Sequence, residues 1–194
     1  MLAAFRPRLI AMTGICGGVK KSSQQFCDVI VGRSAWNYEA GKFLVTDHAL
    51  SKFVPKTNPL QASDKVTIPI SELIANGAAM GHIRGKLGGV PGLKREFRAS
   101  LGNYATGAAV VASAERLGEV GEIAQGADAV EMESYAVFEA ARQAPCKPNV
   151  LIAKAVADFG DKKKNDEYQG PAARASALFV QTALELFGSR LLEE

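Results

Sequence analysis

The sequence predicts an α/β domain, and three observations carry that prediction. Short apolar runs bounded by glycine or an acid alternate with stretches of helical spacing, the pattern of strands joined by helices. The run Asn149–Ala157 (NVLIAKAVA) is apolar almost throughout, as expected of a strand covered on both faces. Of the 194 residues 47% are hydrophobic, 22% charged and 7% aromatic, which gives a core of small side chains suited to helices packed on a sheet. The length is that of one ordinary domain, residues 1–194.

The elements follow in order. Leu9–Thr13 (LIAMT) reads as a buried strand ended by Gly14, and Asp28–Gly32 (DVIVG) as a second. Between them GICGGVKKSSQQF is a glycine turn and polar loop. The segment from Ala35 to Phe53 is mixed and supports no assignment, and Thr57–Asp64 reads as loop. A short helix is expected over Ile70–Met80, starting at Ser71 with Glu72 in its first turn, followed by a glycine-dense loop over Gly81–Gly92. Tyr104–Ser113 reads as strand and turn. Ala129–Ala144 carries Val130, Tyr135, Val137, Ala140, Ala141 and Ala144 on a helical stripe, and Pro145 stops it. After Asn149–Ala157 comes the charged linker DFGDKKKNDEYQGP, then a final helix from about Pro171 through Leu178, Phe179, Ala183, Leu184 and Phe187. There is no internal repeat.

Several function classes find no support. No apolar run approaches the roughly 20 residues that cross a bilayer. The N-terminal stretch is broken by Arg6, Pro7 and Arg8, unlike a secretory signal. Three cysteines (Cys16, Cys27, Cys146) without a CxxC motif point away from a disulfide framework or a structural metal and toward a reducing, cytoplasmic setting. Cys16 reads as a small buried thiol. Residues 1–98 carry 14 Lys/Arg against 6 Asp/Glu and residues 99–194 carry 9 against 14, so a basic half faces an acidic one. The basic residues are dispersed and no nucleic-acid motif accompanies them. Gly81–Gly92 lacks the phosphate-loop spacing, because Met80 and Leu87 stand where a glycine and a hydroxyl residue are needed. No GxGxxG occurs. His48 and His82 are isolated.

Two features carry chemistry. Glu131-Met132-Glu133 is expected to open a helix, where acids complement the helix dipole. Asp158 falls at the end of the most apolar strand, at the edge where open α/β sheets bind ligands. Taken with MTGICGG (Met12–Gly18), DVIVG (Asp28–Gly32) and GNYATGAAVVAS (Gly102–Ser113), the segments AVEMESYAVFEAA and KAVADFGD resemble, in order, the motifs of the purine nucleoside phosphorylase and methylthioadenosine/adenosylhomocysteine nucleosidase superfamily. The resemblance covers most of Arg8–Leu192 except a middle insert of about 43–100.

That resemblance implies a three-layer fold, a central mixed sheet flanked by helices, and cleavage of the N-glycosidic bond of a purine nucleoside. It implies Asp158 as the catalytic acid toward the base and Glu133 as acceptor for the ribose 2′- and 3′-hydroxyls, with Met132 packed on the sugar. Thr13, Gly14 and Ile15 would line the sugar side of the site, and Lys154 and Glu131 would stand behind it. It implies no cofactor and no metal, a small-molecule nucleoside ligand with phosphate as an alternative co-substrate, and a homo-oligomer. Nucleic acid and membrane are not implied partners.

The chain departs from the family pattern at five places. Ala157 replaces a serine, Val110 a base-stacking phenylalanine, Ala108 an aspartate, and Lys154 an arginine, which keeps charge but not fork geometry. The family's first strand and N-terminal catalytic or phosphate-binding residues have no counterpart. The expectation is a fold lacking its N-terminal part, with an exposed sheet edge. Hydrolytic nucleosidase, phosphorolytic enzyme and non-catalytic nucleoside-binding module are the three readings the sequence leaves, in that order.

Overall fold

A computed structural model describes residues 2–19, 23–45, 51–56, 58–93, 95–108, 126–159 and 166–192. Thus His48, Val110, the tail of the expected Tyr104–Ser113 element and the middle of the charged linker lie outside the described residues.

The elements are α1 (Leu2–Phe5), β1 (Leu9–Gly18), β2 (Val29–Asn37), β3 (Gly41–Val45), β4 (Ser51–Pro55), β5 (Leu60–Gln61), α2 (Asp64–Ala75), α3 (Gly77–Leu87), β6 (Ala99–Thr106), β7 (Ala129–Glu131), α4 (Ser134–Gln143), β8 (Asn149–Asp158) and α5 (Gln169–Leu191). A one-turn 3-10 helix, Asp166–Tyr168, leads into α5. Five strands close a ring. β2 pairs in parallel with β6, β6 in parallel with β7, β7 antiparallel with β1, β1 in parallel with β8, and β8 returns antiparallel to β2. β5 adds to β2 at Ser34 and Ala35, and β3–β4 form a separate hairpin. The mixed sheet with helices packed on it is the α/β architecture expected.

Alternation along β8 explains its apolar sequence. Leu151, Ala153, Ala155 and Ala157 join one core with Val29 and Val31 of β2, Ile70 and Leu73 of α2, Ile83 of α3 and Phe179 and Ala183 of α5. Val150, Ile152 and Val156 join a second core with Ile30, Tyr104, Phe138 and Ala141. Both faces are buried, so every position but Lys154 and the ends is apolar.

β1 is less covered. It pairs with β8 over Leu9–Gly17 and, among the described residues, has β7 beside it only at Gly17 and Gly18. Ala11 and Thr13 are exposed.

Four element assignments need correction. β1 does not stop at Gly14. Its ladder to β8 runs on to Gly17, and at Gly18 the missing side chain leaves room for the Phe159 ring, which a Cβ there would meet at 2.7 Å. The helix expected over Ile70–Met80 is two helices divided at Asn76, whose side chain caps the second by accepting from Ala79 N–H at 3.1 Å. Half of the expected Gly81–Gly92 loop is helical. Met80, Ile83 and Leu87 anchor α3 on the core at helical spacing, and that burial outweighs the low helix propensity of Gly81 and Gly85. Glu131-Met132-Glu133 does not open a helix. Ala129–Glu131 pair with Tyr104–Thr106 as a strand, and α4 begins at Ser134.

Candidate functional site

The site is built where β7 ends and α4 begins. Glu131 is buried, and its carboxylate accepts from Glu133 N–H at 3.0 Å, from Ser134 N–H at 3.0 Å to each oxygen, and from the Thr106 hydroxyl at 2.6 Å. A carboxylate at the N-terminus of a helix satisfies orphan N–H groups and complements the dipole, so the structural role expected for an acid here belongs to Glu131. Its last partner is Lys154 Nζ at 2.6 Å. Burial raises the pKa of Glu131, but the Lys154 charge and the hydrogen bonds outweigh it and hold the carboxyl below its ordinary value. Burial likewise lowers Lys154, and the two glutamates outweigh it, so its ammonium holds its proton above the usual lysine range.

Lys154 also forms an ion pair with Glu133. The two carboxylates differ in access, with side chains 1% exposed at Glu131 and 57% at Glu133. With all three ionised the cluster carries one net negative charge, and the surplus carboxylate is the accessible one. Met132, 45% exposed, stands between them in the chain.

The remaining expected site residues fall in three places. Gly14 lies against Lys154, its missing Cβ 3.8 Å from Lys154 Cε, and its N–H donates to Ser176 Oγ of α5 at 3.2 Å. Thr13 is exposed in β1, the strand expected for it, and Ile15, expected in the glycine turn, also lies in β1 and packs against the core shared with α5. Asp158, half-buried at the end of β8, faces Gly17 after a register shift between Cys16 and Gly17, with Oδ1 3.4 Å from where a Gly17 Cβ would stand. A shift of this kind re-aims a side chain at a strand end. Cys16 lies between these groups. Lys154, Glu131 and Asp158 all act on its thiol, which burial pushes far above the ordinary range, so it is a neutral, inert filler.

The structure therefore brings together Glu131, Glu133, Lys154 and Gly14, sets Asp158 beyond Cys16, and turns Ile15 toward the other core. Sequence reasoning missed Thr106, Ser176 and Tyr104. Thr106 had a readable signal, since it ends a strand of the same segment that supplies Gly102 and Tyr104. Ser176 had none, because its contact spans 162 positions. Among the described residues, no cluster of three or more His, Cys, Asp or Glu is placed to hold a metal ion, and no helix is long and apolar enough to cross a membrane.

Known proteins share this architecture. Solved structures with the same fold include the 5′-methylthioadenosine/S-adenosylhomocysteine nucleosidase of Neisseria meningitidis in complex with methylthio-immucillin-A (TM-score 0.67, 22% identity, 95% of this chain and 72% of that one). They also include the futalosine hydrolase of Helicobacter pylori (TM-score 0.70, 20% identity, 95% and 71%). By sequence the chain is 29% identical over 186 residues to the uncharacterized protein y4jS of Sinorhizobium fredii and 24% identical over 196 residues to the ATP nucleosidase Cap17 of Escherichia coli. It spans 44% and 37% of the length of those two proteins. A family model described as the phosphorylase superfamily matches residues 1–189, and the chain belongs to that superfamily.

Proposed function

We propose that this domain cleaves the N-glycosidic bond of a purine nucleoside or related compound, with water as the acceptor. The observation that carries the reading is an accessible carboxylate, Glu133, ion-paired to Lys154 of β8, the same strand that ends in the acid Asp158. The named relatives support it: nucleosidases and a futalosine hydrolase by structure, an ATP nucleosidase by sequence.

In this reading Glu133 accepts from the 2′- and 3′-hydroxyls of the ribose, a task for an acceptor-only group facing two donors. The bond from the sugar anomeric carbon to the base breaks with its electron pair leaving on the base. The sugar then carries cationic character, which the net negative charge of the Glu131–Lys154–Glu133 cluster favours. Asp158 delivers a proton to the departing purine, and a water oxygen bonds to the anomeric carbon and loses one of its protons to solvent, from which Asp158 regains its own. Met132 supplies apolar surface to the sugar. Lys154 holds Glu133 in place, and Glu131 fixes Lys154.

The test is release of free base, followed by chromatography, from adenosine, inosine, 5′-methylthioadenosine and ATP, each with and without inorganic phosphate. Hydrolysis predicts equal rates in both buffers. Base release that requires phosphate makes the domain a phosphorylase instead, and binding without release in either buffer makes it a nucleoside-binding module.

A further inference from the structure

The ring of strands closes over a short seam, and a tyrosine is built into it. Among the described residues β2 and β8 pair only through Val29, Ile30 and Val31 with Ala155, Lys154 and Ala153. At the middle of that seam, where Ile30 stands opposite Lys154, the Tyr104 hydroxyl reaches across from β6. It donates to the Ile30 carbonyl at 2.5 Å and accepts from the Lys154 backbone N–H at 3.2 Å. The hydroxyl is interposed between the two strands as a rung. The ring that carries it is fully buried and lies over Gly32, where a Cβ would sit 2.9 Å from Tyr104 Cε2. Phenylalanine would bury the same ring without a polar atom to satisfy, so core packing alone gives no reason for the hydroxyl. Its two partners give one.

We propose that Tyr104 is a positioning residue for the sugar site: its hydroxyl fixes the Lys154 backbone, and Lys154 in turn holds Glu133. Lys154 is gripped twice. Its N–H meets Tyr104, and its ammonium meets Glu131 at 2.6 Å and pairs with Glu133. Losing the first grip lets the backbone at Lys154 move toward or away from Ile30. The Glu131 contact, buried and hydrogen-bonded on all sides, holds the ammonium, so the adjustment falls on the exposed Glu133. The inference rests on the reading of Glu133 as the acceptor for the ribose hydroxyls.

The test compares binding of 9-deazaadenosine, whose carbon–carbon glycosidic bond is not cleaved, with that of its 2′,3′-dideoxy counterpart, by calorimetry. The wild-type domain is expected to favour the hydroxylated ligand by about tenfold or more, as two hydrogen bonds to a charged acceptor warrant. Tyr104→Phe is expected to reduce that preference by about 3-fold to 10-fold while leaving affinity for the dideoxy ligand within about twofold. Gly32→Ala keeps the hydroxyl but pushes the ring off the seam, and it should shift the preference in the same direction; it carries the test if Tyr104→Phe does not fold. An undiminished preference in the folded variants, or an equal loss for both ligands, overturns the role of Tyr104. A wild-type domain that does not distinguish the two ligands overturns the ribose role of Glu133 itself.

Discussion

Asp28 and Glu131 are both buried carboxylates paired with a cation, and they are arranged for opposite ends. Asp28, just before β2, receives two hydrogen bonds from Arg95, at 2.9 and 2.6 Å, plus Arg98 N–H at 2.8 Å and Gln25 N–H at 3.0 Å. Arg95 donates its remaining reach to the Ser23 and Glu96 carbonyls. Both Asp28 oxygens and both terminal nitrogens of Arg95 are committed within the protein, and the planar fork of arginine fixes the geometry. The Glu131 cluster is also satisfied on its buried side, but its cation is a lysine, and that lysine is shared with Glu133, which looks outward. A saturated pair locks loop to strand. An unequal trio, with a buried carboxylate that fixes the cation and an exposed one that the cation steadies, leaves a solvent-accessible acceptor, the group proposed to meet the ribose.

The largest effect that separates the two regions is expected from their cations. Lys154→Met leaves Glu131 buried without its counter-charge, and urea unfolding should show a loss of about 3–5 kcal/mol. Arg95→Met should destabilise by a similar amount, about 3 kcal/mol, yet leave the ribose preference of the folded fraction unchanged, because Arg95 touches nothing of the Glu131 cluster. Next comes Thr106→Val, which removes the 2.6 Å hydrogen bond to Glu131 at nearly constant volume and should cost about 1.5–3 kcal/mol. The smallest effect on stability is expected at Glu133→Gln. Its side chain is more than half exposed, so solvent screens the pair, and a change within about 1 kcal/mol should accompany a clear loss of nucleoside affinity. Stability and binding thus move apart at Glu133 and together at Lys154.

Acidity sharpens the same contrast. Glu131 titrates below its ordinary 4.5 in the folded protein, so its contribution is present above that value and is lost as pH falls through its lowered pKa. Lys154 titrates above its ordinary 10.5, so its contribution is present below that value and is lost as pH rises through its raised pKa. Denaturation midpoints followed against pH should therefore show the contribution of this pair level between about 4.5 and 10.5 and falling at both extremes. In Thr106→Val the acid-side fall should be smaller and end at higher pH, because one of the groups that depress Glu131 is gone while its unfolded value is unchanged.

Much of this architecture is legible in the amino-acid sequence. The β8 run predicts a doubly covered strand because both of its faces meet apolar partners, and alternation alone cannot produce such a sequence. Asp158 is legible as the acid that ends that run. Glu131 and Glu133 are legible as a pair but not as unequal members of it, because the inequality comes from three-residue strand β7, too short to leave a period. The helices α2 and α3 are misplaced by the sequence for a related reason: glycines at Gly77, Gly81 and Gly85 point to loop locally, while the anchors Met80, Ile83 and Leu87 act only once α5 is there to receive them. Tyr104 is visible there only as a strand residue. Its partners, 74 and 50 positions away, follow from the closure of the ring.

Glu133 and Asp158 are proposed to serve one reaction at one site. The decisive measurement is free-base release by Asp158→Asn and Glu133→Ala in phosphate-free buffer, on the nucleoside that the wild-type domain cleaves best. Asp158→Asn is expected to lower the rate at saturating substrate by about 100-fold or more, as loss of a proton donor does, while Glu133→Ala acts on substrate affinity as well. Wild-type rates and affinities in both variants would contradict it.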